Sequence, residues 1–349
     1  ATVSRSYSGP VEKAVEDILR SKNYLDSKKD LFIEDTKTNA KYVVPSLKPF
    51  GCINYLSSQA ISGKYNNAGY LFYETARGFH FRSLESMLAM GGSVARPTRW
   101  NFNTKIVNIR DGPHPGSKEE IKNIPRRMET IIHYEFYKPV DILSNLVNGF
   151  YANQVIAHDA FNKTLTTTNF NYKDNYSKNF HLETTGDEQD EFKMIMPIAE
   201  LNDTGGALYE RPEQKKMVVT ETSKVHNDYE FTSTSGTLGK RISQKHGYTN
   251  MNMAMLVYGN TSLNAGDIIN FSSPLLQPGE DMIPSPYTTG RYLIMSLKHT
   301  ISVETNTHEM VLRCFKDSVR TPYPSEEDAL KVGNGDSNKI NIYEMDGTA

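Results

Sequence analysis

Histidine is the residue type in this chain with the widest chemical reach, and nine are present. Neutral imidazole ligates transition metals and exchanges protons near neutral pH. Helical metal sites set two rings on one face through His-x-x-x-His or His-Glu-x-x-His, and neither spacing occurs. His299 and His308 instead fall on the two limbs of an expected hairpin, where they could face each other across the strands. Metal binding there would need further ligands and a fixed geometry, and a cross-strand polar pair is the plainer reading. The two cysteines, Cys52 and Cys314, match no metal or disulfide spacing, and Cys314 reads as a small core residue. No Gly-x-Ser-x-Gly elbow, phosphate loop or dinucleotide fingerprint is found. Gly236-Thr-Leu-Gly-Lys-Arg echoes a phosphate loop with the wrong spacing. A carboxylate pair for glycoside hydrolysis is defined by distance rather than by sequence. Tyr70, Phe72, Tyr73, Phe79 and Phe81 suit either a sugar platform or a packed core. No catalytic residue, cofactor or metal ligand is assigned on these grounds.

The bulk properties narrow the field from another side. At 349 residues the chain is long enough for two or three domains. A formal charge of −2 gives no global attraction to a nucleic-acid backbone, so no sequence-specific nucleic acid is expected. No apolar run reaches the length of about 18 residues that a membrane span needs. The opening from Ala1 to Pro10 has no initiator Met and no apolar core, so it is not read as a signal peptide.

Elements follow from periodicity and punctuation. Gly9-Pro10 opens a helix with Val11, Val15, Ile18, Leu19 and Leu25 on one face. Leu31 to Ile33 reads as a short strand. A second helix is predicted over residues 50–62, with Cys52, Ile53, Leu56 and Ala60 inward and Gly63 as its stop. Tyr70–Tyr73 and Phe79–Arg82 form a hairpin, and Ser83 caps a short helix from Leu84 to Met90. Residues 91–127, with Arg96, Arg99, Arg126 and Arg127, read as an exposed basic loop. Alternation from Met128 to Phe136 predicts a strand with Thr130, Ile132, Tyr134 and Phe136 on its apolar side. Pro139 starts a helix with Leu143, Leu146 and Val147 inward, ended by Gly149. Residues 150–160 and 163–172 form another hairpin. The acids at 183–191, including Glu183, read as a solvated loop. Met194 to Ala199 is a short apolar run, and 202–235 are irregular except for a strand near Met217 to Thr220. Met251, Met253, Met255 and Val257 share one face of a strand, and Asn264–Asp267 turns the chain into Ile268–Phe271.

The most extended pattern runs from Thr289 to Asp317. Leu293, Met295, Leu297, Ile301 and Val303 alternate with Ser296, Lys298, Thr300 and Ser302, a period of two that predicts one dry and one wet face. After the polar connection Glu304–Thr307, the return limb places Met310, Leu312 and Cys314 opposite Glu309 and Arg313. Such a ribbon is unstable alone and needs a sheet or a neighbouring chain. Its residues Tyr292, Ile294, Ser296, Lys298, Thr300, Ser302, Glu309, Val311 and Arg313 are candidates for an inter-subunit or channel-lining surface. Beyond Asp317 the chain is proline-rich and then polar, and Ile340, Ile342 and Tyr343 form a small apolar hook suited to docking.

Several stretches together resemble the central baseplate hub subunit of T-even-type contractile phage tails. They are Val11–Leu19 with the Pro45 linker and the following helix, Gly69-Tyr-Leu-Phe-Tyr-Glu-Thr-Ala-Arg-Gly-Phe-His-Phe, and the run from Lys245 to Phe271 leading into the closing hairpin. The likeness spans roughly residues 1–320 and rests on order and spacing. Hub proteins of other contractile tails and type VI secretion spike proteins are the wider relatives. The resemblance implies a homotrimeric ring of tube-like β-domains, located in the virion and assembled in the host cytoplasm. Its partners would be the tail spike protein, the tail tube or tube-initiator protein, and the tape-measure protein. The expected class is α+β, mainly antiparallel β. Residues 1–127 would be a helix-and-hairpin domain, 128–160 with 249–317 a tube-like β-barrel, 161–248 an inserted domain and 318–349 a polar tail. In that family a first tube-like domain precedes the Pro10 helix; either the sequence lacks its beginning or this hub makes the symmetry match differently. A tail enzyme that cleaves glycan or peptidoglycan and a receptor-binding adhesin are the rival readings.

Overall fold

The computed structural model describes residues 2–37, 39–44, 46–89, 100–103, 128–138, 140–159, 163–183, 212, 214–220, 235–248, 250–272, 274–275, 283–285 and 287–319. The class is α+β with antiparallel-rich sheets, few helices and one curled half-barrel. Two compact units emerge: Ala1–Gly91 with Leu143–Asn175 and Gly206–Gly247, and Gly92–Ile142 with Tyr176–Gly205 and Tyr248–Ala349.

The first unit begins with β1 (Ser6–Pro10), α1 (Val11–Arg20), β2 (Asp30–Ile33), β3 (Asn39–Val43), α2 (Pro49–Ser57), β4 (Tyr70–Thr75), β5 (Gly78–Ser83) and α3 (Leu84–Leu88). α1 buries Val11, Ala14, Val15, Ile18 and Leu19 against Cys52, Ile53 and Leu56 of α2 and against Tyr70, Phe79 and Phe81 of the sheet β2-β5-β4. Each such side chain contributes about 1.5–3 kcal/mol on leaving water. α2 stops at Ser57, earlier than its apolar pattern predicts. The hydroxyls of Ser57 and Ser58 donate to Asn54 O and Tyr55 O at 2.7 and 2.6 Å, which draws the last turn out of helix. The Ser83 cap forms as expected, accepting from Ser86 N at 3.2 Å.

Two further strands, β6 (Asn101–Asn103) and β7 (Ile131–Lys138), belong to the second unit. The chain continues with α4 (Ile142–Val147), β8 (Ala152–Asp159), β9 (Thr164–Asn171), α5 (Tyr172–Tyr176), β10 (Gln214–Thr220) and α6 (Ser235–Gly247). β8 pairs antiparallel with β9 and parallel with β10, so the expected hairpin is present with a third strand added. These three strands lie in the first unit. Sequence reasoning missed α6 because Gly236 and Gly239 lower its helix propensity. The phosphate-loop echo lies within this helix, which is tied down where Asn153 Nδ2 donates to Gly239 O at 3.0 Å and Ser243 Oγ to Phe150 O at 2.7 Å. α4 turns opposite to expectation, with Leu143 76% and Val147 69% exposed and Asn145 buried. The Asn145 carbonyl accepts from Phe150 N at 2.9 Å, across the left-handed turn at Gly149 (φ 75°), and that link decides which side faces in.

The second unit is completed by β11 (Met251–Tyr258), β12 (Ile268–Ser272), the short pair β13 (Pro274–Leu275) and β14 (Ile283–Pro284), and the ribbon β15 (Gly290–Ser302) and β16 (Thr307–Lys316). Six strands form one sheet in the order β6-β12-β15-β16-β11-β7. It curls until its two ends touch, where Asn103 N donates to Glu129 O at 2.9 Å beside a single bridge to Thr130. The concave core holds Phe102, Ile131, Met253, Met255, Val257, Ile269, Phe271, Tyr292, Ile294, Met310, Leu312 and Cys314. The methionine alternation in β11 therefore marks the core face, as expected. On β7, Tyr134 and Phe136 pack against this core as expected, but Ile131 takes the buried position and Ile132 is exposed. An irregularity between Leu256 and Val257 shifts the register there, and one residue of shift reverses the face.

Candidate functional site: the β15–β16 ribbon

The ribbon divides at Met295. From Gly290 to Leu293, β15 pairs with β12, and from Leu293 onward it pairs with β16 on the other side. At Met295 a bulge inserts one residue, since Ile294 opposes Cys314 but Ser296 opposes Arg313. The bulge breaks the single dry face that the sequence pattern suggests. Tyr292 and Ile294 are buried in the core, whereas beyond the bulge Leu297, His299 and Ile301 continue their side. Leu293, on the other side at the base, packs opposite Phe315 and is buried too, so the base is covered on both faces.

The cross-strand register sorts the nine candidate ribbon residues. Ser296 opposes Arg313, Lys298 opposes Val311, Thr300 opposes Glu309, and Ser302 opposes Thr307. Opposed residues share a face, so Ser296, Lys298, Thr300, Ser302, Glu309, Val311 and Arg313 come together as one mixed polar surface. Tyr292 and Ile294 do not join them. The Tyr292 hydroxyl donates to Thr288 O at 2.7 Å inside the subunit, and Ile294 contacts the buried core. Both are therefore removed from any channel-lining set. The candidate hook Ile340, Ile342 and Tyr343 lies outside the described residues, as do the basic stretch 104–127 and the apolar run 194–199.

Past Leu293, β15 has no strand on its outer side among the described residues, apart from Gly266 N donating to Ile294 O and Ile294 N donating to Asp267 O. Among the described residues, Met295 to Ser302 thus presents an open strand edge. Ile301 is 69% and Val303 90% exposed at its end. An open edge with exposed apolar side chains is the feature that soluble monomers ordinarily avoid.

The base carries a polar cluster that the sequence did not reveal. Lys316 is fully buried, and its Nζ donates to Thr289 O at 2.6 Å and pairs with Glu183 Oε1 at 3.1 Å. The ammonium also lies 5.3 Å from the Tyr292 ring centroid. Glu183 Oε1 accepts from Arg291 N at 2.6 Å, so the residue expected in a solvated acidic loop is a buried counter-ion. Beside it, Asp317 Oδ2 faces His181 Nδ1 at 2.8 Å, and Oδ1 accepts from Leu182 N and Ser318 Oγ, each at 3.0 Å. The other ring nitrogen, His181 Nε2, meets Tyr176 O at 3.0 Å. A carbonyl can only accept, so Nε2 is the donor to Tyr176 O. Burial alone would raise the Asp317 carboxyl, but the bonds from His181, Leu182 and Ser318 prevail and hold it below its ordinary range. Burial lowers Arg291, against the opposing pull of Glu183 and Asp317. The pairs Glu183–Lys316 and His181–Asp317 lie 133 and 136 residues apart, so only the Lys316-Asp317-Ser318 run ending an apolar strand hinted at the cluster.

Neither thiol is poised for chemistry. Burial pushes Cys52 up to about 11 and raises Cys314 as well, which keeps both protonated and unreactive at neutral pH. Among the described residues no group of three or more His, Cys, Asp or Glu side chains is arranged to hold a metal ion. Also among them, no helix is long and apolar enough to cross a membrane.

No protein-family model matches the chain, and no curated protein sequence does so. Two solved structures are similar in shape. One is the tail protein from Neisseria meningitidis MC58, at 10% identity and a TM-score of 0.47, covering 90% of this chain and 70% of that one. The other is the 43 kDa tail protein of prophage MuSo2 from Shewanella oneidensis, at 8% identity and a TM-score of 0.43, covering 89% of this chain and 66% of that one. Both structural neighbours are tail proteins, and similarity at this level assigns no function to this chain.

Proposed function

We propose that the chain is a structural subunit of a phage tail baseplate, a homotrimeric hub ring that joins a trimeric spike to a hexameric tail tube. The observation that supports this most directly is the open outer edge of β15 from Met295 to Ser302, capped by exposed Ile301 and Val303. A strand from a sister copy laid along that edge would satisfy its backbone groups and cover the apolar tip. The resemblance in order and spacing to contractile-tail hubs supplies the identity of the assembly, the spike and tube proteins as partners, and the virion as the location. In this reading the polar face of Ser296, Lys298, Thr300, Ser302, Glu309 and Arg313 looks onto the ring axis or an adjoining subunit.

Sedimentation at tens of micromolar, alone and with a trimeric tail spike protein, tests the reading. A trimer, or a complex with threefold stoichiometry, is the expected result. A chain that stays monomeric in both conditions overturns it, and clearing of a cell-wall gel by the purified chain would favour the enzymatic alternative.

A further inference from the structure

We infer that His299 and His308 form a two-point chelate for a divalent transition metal of the copper and nickel class. This inference is independent of the baseplate reading. His299 Nδ1 lies 3.0 Å from His308 Nε2, although the two residues are diagonal neighbours rather than directly opposed. Two metal–nitrogen bonds of about 2.1 Å at a right angle place their nitrogens about 3.0 Å apart, and a tetrahedral angle needs about 3.4 Å. The separation, which is that of the hydrogen bond in the metal-free pair, is compatible with cis positions of a square or octahedral ion such as Cu2+ or Ni2+.

The ring of His308 is fixed before any ion arrives. Gly259 N donates to His308 O at 2.8 Å, and a Cβ at Gly259 would fall 2.1 Å from His308 Cγ. The imidazole thus lies flat on a backbone that only glycine provides, with Nε2 turned toward His299. The rings are tilted by 44° with centroids 5.2 Å apart, so their nitrogen edges rather than their faces converge. In the metal-free pair one ring N–H donates to the other ring's lone pair. On binding, that proton moves to the far nitrogen of its own ring, so each neutral imidazole keeps one proton and offers one lone pair. His299 is exposed, which leaves the remaining coordination positions to water.

Isothermal titration of the full chain with Ni2+, Cu2+ and Mg2+ tests the proposal. One site per chain is expected for Ni2+ and Cu2+, with none for Mg2+. Joining two ligands on one scaffold raises affinity through effective concentration, so His299→Gln and His308→Gln should each weaken Ni2+ binding by at least about tenfold, and the double variant should be little worse than either. Gly259→Ala keeps both ligands but displaces the His308 ring, and it should weaken Ni2+ by a similar factor while the fold persists. Affinity within twofold of the parent in the single glutamine variants, or in Gly259→Ala, overturns the chelate.

Discussion

The two halves of the β15–β16 ribbon are built from the same strands and differ in what surrounds them. At the base, both faces are covered, and a lysine, a glutamate, an aspartate and a histidine are buried among apolar side chains with hydrogen bonds made. At the tip, both faces meet solvent, and Ile301 and Val303 are exposed among polar neighbours. Charge is thus buried at one end of the hairpin and apolar surface is exposed at the other. Buried charge is tolerated where every donor and acceptor is met and the geometry is fixed. Exposed apolar surface on an open strand edge is tolerated where it is covered later. The contrast separates a part that specifies the subunit from a part left over for association.

The largest effect should come from breaking the base ion pair one side at a time. Glu183→Ala leaves the Lys316 ammonium buried without a counter-ion and should cost about 3–5 kcal/mol, read as a lowered urea midpoint of the second unit. The double variant Glu183→Leu, Lys316→Met should recover most of that loss. A single variant with an unchanged midpoint would show that the base is not held by this pair.

A smaller loss follows from filling space at the same place. Gly290 has φ 131°, and a Cβ there would lie 2.0 Å from Glu183 Oε1 and 2.5 Å from Lys316 Nζ. Gly290→Ala should cost about 1–3 kcal/mol by overpacking, with β15 remaining in the sheet by amide exchange.

Acid should act on the base. The folded Asp317 carboxyl is held below its ordinary value, so its contribution is complete above the unfolded carboxylate range, about 3.9. It is lost as pH falls through the lower folded value. Asp317→Asn should therefore reduce stability at neutral pH and flatten the stability profile in the acid range. An equally steep acid limb in that variant would assign the acid sensitivity to other carboxylates.

The smallest effect on stability should come from the tip. Ile301→Thr and Val303→Thr remove no intrachain burial and should shift the urea midpoint by less than about 0.5 kcal/mol. The same pair should reduce self-association in sedimentation, which sharpens the division between the two halves. A large loss of stability would mean that the tip belongs to the subunit core after all.

Much of this arrangement was legible in the chain. Met251, Met253, Met255 and Val257 repeat at two-residue spacing, α1 shows a clean helical stripe, and Ser83 announces its cap. What escaped were single-residue events and long-range partners. The bulge at Met295 and the register shift opposite Ile131 each reverse a face, yet an unpaired residue leaves no mark in an alternating pattern. α4 is too short for its apolar spacing to set its orientation against the link from Asn145 to Phe150. Glu183 meets Lys316 across 133 residues, so composition could only read it as part of an acidic run. His299 and His308 were recognisable as strand neighbours, but the close fit over Gly259 needed coordinates.

The Met295 bulge has an evolutionary corollary. Loss of that one codon would leave Ser296 opposite Arg313 and Leu297 opposite Leu312, so every outer side chain would keep its flank and only the kink would go. The bulge is thus a place where the chain absorbs a one-residue insertion without trading its flank of hydroxyls and charges for the apolar one.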